Sequence, residues 1–218
     1  VCQVPHGGAR EHGHHALRRV VGRDASKGAL ARHAGDHDQG TALAAAHAAS
    51  FPADVDAVIA TAAGCGSSMK DTHTSGAPVL DVCEYLDRLG LTTPLALPAP
   101  LRAAYQDACH LAHAQQITAA PRRLLGAIDR LTLVSIADSG LCCGSAGLYN
   151  VEQPALAAAL GRRKADAVAA SGAAMVVSAN IGCLTQLGVA LAAAGHTVQT
   201  AHAVELLAMA LPGRRGPQ

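Results

Sequence analysis

The sequence predicts an α/β fold of two duplicated α/β units, each with a small parallel sheet flanked by helices. A repeat carries this prediction: "DVDAVIATAAGCGSSMK" (residues 54–70) resembles "GAAMVVSANIGCLTQLG" (residues 172–188). In both stretches a β-branched apolar run is followed by small residues and Gly-Cys, which is typical of a buried parallel strand that ends in a turn. We therefore expect Cys65 and Cys183 just past the carboxyl ends of equivalent strands, where open α/β sheets place their sites.

Helical patterns precede both predicted strands. The run "DQGTALAAAHAASF" leads to the first strand, and "EQPALAAALGRRKADAVAASG" leads to the second, with Pro154 near its start and Gly172 at its end. Proline at the start and glycine at the end is the polarity that helices prefer. The chain closes with "HTVQTAHAVELLAMAL", which predicts a strand followed by a helix.

Two prolines indicate where one unit gives way to the next. Pro98 and Pro100 favour an extended connector, and a predicted strand and Cys109 follow it. We expect a first unit at residues 1–98, degenerate and with an irregular start, and a second unit at residues 99–218 that carries the cysteine ligand set.

Composition excludes several classes of function. The 218 residues are 50% hydrophobic and 15% charged, with a net charge of +1, so the chain is globular, and no basic run points to nucleic acid. No apolar run reaches transmembrane length, and the first residues do not show the pattern of a signal peptide. No strand is followed by GxGxxG and no P-loop occurs, so we expect no nucleotide or flavin on this chain. We expect a cytoplasmic protein, where clustered cysteines are more often metal-binding or catalytic than disulfide-bonded.

Four of the seven cysteines lie in the second unit, each in a glycine-rich or small-residue context beside a predicted strand end. They are Cys109, Cys142, Cys143 and Cys183. Three loops can therefore converge, and four thiolates are what an iron-sulfur cluster or a zinc ion requires. For the adjacent pair, burial as core, thiol redox chemistry and ligation are all open, and ligation is favoured because glycines surround the pair. Zinc is disfavoured because no CxxC knuckle is present. Cys83, in an amphipathic helix pattern, is predicted to be core.

The histidines have alternative interpretations. His12, His14 and His15 could chelate a metal, but their unpatterned surroundings favour a solvated stretch. A histidine beside Cys109, at position 110 or 113, could hydrogen-bond a cluster sulfur or only form a turn. His202 lies at a predicted strand-to-helix turn, and both roles are open to it as well.

Four motifs together resemble the cysteine-rich CCG domain family. They are "YQDACHLAHAQ", "LCCGSAGLYNVEQP", "SANIGCLTQLG" and "HAVELLAMAL", in the family order, and the resemblance runs from about residue 28 to 211. That family also includes the cysteine-rich component of heterodisulfide reductase, and within it the chain is most similar to the iron-sulfur subunit of glycolate oxidase (glycolate dehydrogenase). The resemblance implies a [4Fe–4S] cluster, sometimes non-cubane, held by Cys109, Cys142, Cys143 and Cys183.

This sequence departs from the family pattern in two places. Asn180 stands at the first position of the family's CxxC, which leaves four cysteines rather than five. In the first unit, Ser26 and Lys27 stand where a Cys-Cys pair is expected, and only Cys65, with Cys2 as a candidate, matches a ligand position. The resemblance therefore implies one cluster site, within residues 101–211.

The resemblance also implies a function: relaying electrons from a partner flavoprotein, which oxidises glycolate or another 2-hydroxy acid, toward the quinone pool. We expect no catalytic residue on this chain, no transmembrane segment, and a peripheral position at the inner membrane face. We also expect a carboxy-terminal fragment that lacks the ferredoxin-like region. The alternatives are a CCG-type subunit of a disulfide (heterodisulfide-like) reductase and a cofactor-free remnant that only binds partners.

Overall fold

A three-stranded parallel sheet is formed by the first part of the chain. The computed structural model describes residues 20–21, 31–32, 34–52, 54–72 and 76–213. The sheet has the order β1-β2-β3, and its strands are β1 (Val20–Val21), β2 (Ala57–Ala60) and β3 (Val79–Asp81). Every residue of β2 and β3 is buried, as expected for parallel strands that are covered on both faces. The helices of this part are α1 (His37–Ala49), α2 (Ala63–Thr72) and α3 (Val82–Leu89).

A four-stranded parallel sheet, in the order β5-β4-β6-β7, follows it. Its strands are β4 (Leu95–Tyr105), β5 (Ile128–Val134), β6 (Met175–Ser178) and β7 (Gln199–His202). The helices around it are a five-residue π-helix (His110–Ala114), α4 (Ala119–Gly126), α5 (Tyr149–Glu152), α6 (Pro154–Ala170), α7 (Ile181–Ala193) and α8 (Ala203–Met209). The predicted α/β class, with small parallel sheets flanked by helices, is confirmed.

The repeat seen in the sequence corresponds to equivalent structural positions. In each half a long helix (α1 or α6) precedes a buried strand (β2 or β6). The strand then leads into a helix whose first turn carries the predicted cysteine, Cys65 in α2 and Cys183 in α7. The periodicity of apolar residues was therefore sufficient to place both cysteines just past the strand ends.

The two prolines expected in a connector lie inside β4. This strand pairs with β5 on both sides of them, through Leu95 and again from Leu101, and the register shifts in between. Proline has no N–H to donate to a sheet, so it is tolerated in a strand only where the hydrogen-bond ladder is interrupted. The predicted unit boundary at residues 98 and 99 stays a prediction.

The main hydrophobic core joins helices that flank the first sheet to the strands and helices of the second. It contains Ala63 of α2 and Cys83 of α3 together with strands β4 and β6. Cys83 is completely buried, so its prediction as a core residue is confirmed. Among the described residues, none of the helices is long and apolar enough to cross a membrane.

Candidate functional site

Four cysteines meet at the carboxyl edge of the second sheet. Cys109 follows β4, the adjacent pair Cys142 and Cys143 lies in the long loop after β5, and Cys183 lies in the first turn of α7 after β6. Strands β5, β4 and β6 are neighbours and parallel, so their carboxyl ends share one edge and their loops converge. This part of the arrangement follows from the strand order, which the spacing of the cysteines alone does not give.

The four thiols form a continuous series of side-chain contacts. Cys109 contacts Cys142, Cys142 contacts Cys143, and Cys143 contacts Cys183. Cys143 and Cys183 are buried, with 1% and 2% of their surfaces exposed, whereas Cys109 and Cys142 are half-buried. The group is therefore closed on one side and accessible on the other.

No three His, Cys, Asp or Glu side chains within the described ranges are arranged as ready ligands of a single metal ion. An iron-sulfur cluster makes a different geometric demand, because it has several irons and each cysteine binds its own. Four thiols in series, two of them shielded from water, supply the donor type and number that such a cluster needs. The residues present fit the group.

Two of the thiols are set up to lose their protons. The pKa of Cys142 is held well below its ordinary value, first by the hydrogen bond from Cys109, then by one from Cys143 and by the backbone N–H of Gly144, 3.3 Å from its Sγ. The pKa of Cys183 is also lowered, first by Cys143 and then by Asn180. Hydrogen bonds to the charged form favour that form, and the thiolate is the form that binds metal.

The pKa values of the other two thiols are raised. The pKa of Cys109 is raised chiefly by its hydrogen bond to Cys142, and the pKa of Cys143 is raised chiefly by its bond to the same partner. Burial adds to both shifts. The proton affinities of the four thiols are therefore linked, because the largest effect on each comes from a neighbouring thiol.

Asn180 replaces a cysteine of the family pattern, and the structure gives it a different role. It occupies the N-cap position of α7, but its side chain does not cap the helix. Instead, Nδ2 of Asn180 donates to Sγ of Cys183 at 3.3 Å. The amide thus stabilises the Cys183 thiolate, a role that sequence reasoning missed because the motif marks the position only as a lost ligand.

The structure bears on the two alternatives given for the histidines. Nδ1 of His110 lies 3.6 Å from Sγ of Cys109, and the same residue begins the π-helix, so both alternatives apply to it. His202 is the N-cap of α8: its Nδ1 accepts from the N–H of Val204, and its Nε2 lies 2.9 Å from the carbonyl oxygen of Thr61. Its role is that of a helix start and a link to the first sheet.

Several positions named from the sequence lie outside the described residues. They are Cys2, His12, His14, His15, Ser26 and Lys27. One residue that sequence reasoning did not single out, Lys164 of α6, is buried beside the loop that carries the cysteine pair. Its place within "GRRKAD" suggests a solvated helix surface. The one signal of burial in the sequence is its spacing of three residues from Gly161, which puts both residues on the same face of the helix.

Three strand-end loops bring four thiols together at the edge of a parallel sheet and define a cysteine-rich domain. Residues 103–188, which include all four cysteines, match the family of cysteine-rich CCG domains. The resemblance inferred from the motifs is confirmed.

Several curated proteins are similar to the chain. It is 33% identical to the probable glycolate oxidase iron-sulfur subunit of Bacillus subtilis, over 83% of this chain and 45% of that protein. It is 32% identical to the glycolate oxidase iron-sulfur subunit of Escherichia coli, over 73% of this chain and 41% of that protein. Lactate utilization protein A of an Exiguobacterium species is 27% identical, over 71% of this chain and 69% of that protein. The chain spans less than half the length of the two glycolate oxidase relatives.

Proposed function

We propose that this chain is the cluster-binding part of the iron-sulfur subunit of a glycolate (2-hydroxy acid) oxidase. Four cysteines, Cys109, Cys142, Cys143 and Cys183, hold one [4Fe–4S] cluster of cubane or non-cubane form. The observation that carries the proposal is the unbroken series of thiol contacts at the edge of the second sheet. The names of the relatives, which are iron-sulfur subunits, support the same assignment.

The protein's own contribution is to hold the sulfurs and to set their charge. The bound group supplies one-electron transfer. The N–H of Gly144 and the side-chain amide of Asn180 point at Cys142 and Cys183, where they balance the negative charge on sulfur. Burial of Cys143 and Cys183 keeps water from one side of the site, and half-exposed Cys109 and Cys142 mark the side from which electrons enter or leave.

Anaerobic reconstitution with iron and sulfide tests the cluster assignment. We expect about four irons per chain and an EPR signal in one redox state, and we expect Cys143→Ser to lose most of both. The matched control is Cys65→Ser, since Cys65 occupies the equivalent turn of the first half and lies outside the ligand set. A protein that takes up no iron, or a Cys143→Ser variant that matches the wild type, would contradict the proposal.

We further propose that the cluster relays electrons from a flavin-containing partner subunit toward a quinone at the inner membrane face. Purification of the tagged chain from its native host tests this: the complex is expected to contain flavin and to reduce a quinone analogue with glycolate. Reduction of disulfides by the reconstituted protein, with no response to glycolate in the complex, would instead assign the chain to the disulfide reductases.

A further inference from the structure

Lys164 is the largest fully buried side chain of the described structure, with 1% of its surface exposed. Lysine is almost never fully buried unless its charge is paired. Its neighbours Arg162 and Arg163 on the same helix are exposed, so the burial belongs to one face of α6 and not to the whole segment. The proposed function gives this buried cation no role.

The ammonium group of Lys164 binds the backbone just before the cysteine pair. Its Nζ donates to the carbonyl oxygen of Asp138 and, at 3.2 Å, to that of Ser139. The Asp138 carbonyl also accepts the N–H of Leu141 at 2.8 Å and so closes a turn that ends next to Cys142. Asp138 has a φ of 52°, a left-handed conformation that needs support from its surroundings.

The same face of α6 supports the rest of the loop. A Cβ on Gly144 would come within 2.6 Å of the carbonyl oxygen of Ala157, and a Cβ on Gly161 would lie 3.7 Å from the carbonyl oxygen of Cys143. Ala157, Gly161 and Lys164 follow one another at helical spacing of four and three residues, so they form one stripe. The lysine is the one charged member of that stripe.

Lys164 lies near the thiol series as well as under the turn that precedes it. Burial lowers its pKa, while Cys143, and to a lesser extent Asp138, Asp107 and Cys183, act to raise it. A cation shielded from water interacts more strongly with neighbouring charges than an exposed one does. The nearby groups that favour its charged form are therefore site thiols and the carboxylates next to them.

We propose that Lys164 is a positioning residue for the candidate cluster, holding the 138–141 turn in the conformation that presents Cys142 and Cys143 and placing a fixed positive charge beside their sulfurs. The charge part of this proposal rests on the proposed function, because a reduction potential needs a cluster. The positioning part does not, because it concerns the backbone of the protein as it stands.

Two measurements on Lys164→Met test the proposal. This change keeps the length and most of the volume of the side chain but removes the donors and the charge. Amide hydrogen exchange, measured without metal, is expected to show at least tenfold faster exchange at residues 138–144. After reconstitution, the midpoint potential is expected to become more negative, because the reduced cluster loses a nearby positive charge.

Arg163→Met is the matched control. Arg163 is the preceding residue on the helix and pairs with the side chain of the same Asp138, but it is 64% exposed. Solvent screens such a charge, so exchange in the turn and the midpoint potential are both expected to stay close to the wild type. Lys164→Arg, which retains the charge, is expected to restore the potential toward the wild-type value.

The outcomes separate this proposal from the proposed function. Unchanged exchange at residues 138–144 in Lys164→Met overturns the positioning role, whether or not iron is bound. If the reconstituted Lys164→Met and Arg163→Met variants both keep the midpoint potential of the wild type, the charge role is overturned and the cluster assignment stands. If Lys164→Met does not fold, Lys164→Gln gives the same comparison, and an unchanged potential again overturns the charge role.

Discussion

The tightest backbone approach in the cysteine loop is made by a single glycine. Gly144 follows the adjacent cysteines, has a φ of +94° and lies against the backbone of α6 at Ala157. For a non-glycine residue the left-handed backbone costs about 1–2 kcal/mol, and here its Cβ would also overlap a carbonyl oxygen that cannot easily move. The N–H of the same glycine points at Sγ of Cys142. Backbone conformation and sulfur charge thus depend on one position.

Gly144→Ala is expected to lower the free energy of unfolding by about 2–4 kcal/mol, from the left-handed backbone and the overlap together. Urea denaturation measures this loss, and iron uptake is expected to fall with it. Gly140→Ala is the control, since its Cβ would meet only Nε2 of His113 at 3.9 Å. Equal stability of the two variants would show that the loop relaxes away from α6.

Among the elements, α3 begins at an unusual N-cap. Oδ1 of Asp81 accepts the N–H of Cys83 at 2.8 Å, while within the described part of the chain its buried Oδ2 has no hydrogen-bond partner. Burial raises the pKa of Asp81 to about 6, against the lowering effect of the cap hydrogen bonds. The helix therefore starts on a carboxyl group that resists ionisation.

This N-cap predicts a pH dependence of stability. Because the folded-state pKa of Asp81 lies above its ordinary value of 3.8, its contribution is fully present below about pH 4 and is lost as the pH rises through about 6. The loss is on the order of 3 kcal/mol. The asparagine of Asp81→Asn cannot ionise. The free energy of unfolding of this variant is therefore expected to rise relative to that of the wild type as the pH increases from about 4 to 7.

Urea denaturation of the wild type and Asp81→Asn at pH 4 and pH 7 measures this difference in stability. Asp129→Asn, a change at an exposed carboxylate, is the control for general carboxylate titration. Parallel pH profiles for the wild type and Asp81→Asn would contradict the raised pKa.

At the scale of the whole molecule, two side chains from the second half bind the backbone of the first. Nε2 of His202 lies 2.9 Å from the carbonyl oxygen of Thr61, and Nε2 of Gln115 donates to that of Ala63 at 2.8 Å. Thr61 lies just after β2 and Ala63 is the first residue of α2, so both acceptors are close to Cys65 in the chain. These bonds, together with the shared core, join the carboxyl edges of the two sheets.

Gln115→Ala is expected to destabilise the protein by about 0.5–1.5 kcal/mol, because it removes the hydrogen bond from the side-chain amide to the carbonyl oxygen of Ala63. Hydrogen exchange is expected to accelerate at residues 61–66, which lie far from the substituted residue in sequence. The adjacent Gln116→Ala removes only a local bond to the carbonyl of His113 and serves as the control. Unchanged exchange at residues 61–66 would mean that core packing alone joins the two halves.

Apolar periodicity and turn residues made much of the fold predictable. The two β-branched runs became β2 and β6, and the cysteines after them lie in the first turns of α2 and α7. Pro98 and Pro100 were expected in a connector but lie inside β4. The sequence pattern does not show that a strand interrupted by proline resumes its pairing beyond the interruption. Tertiary pairing overrode the local preference of proline for a connector.

The sequence by itself determined the types of residue at the site and their positions at strand ends, because both depend on local patterns. Only the tertiary structure decided that three loops meet, since this depends on the strand order β5-β4-β6. It also decided the partners that have no local signal: the amide of Asn180 on Cys183, and the ammonium of Lys164 under the turn before Cys142. Contacts between residues far apart in the chain are set by packing.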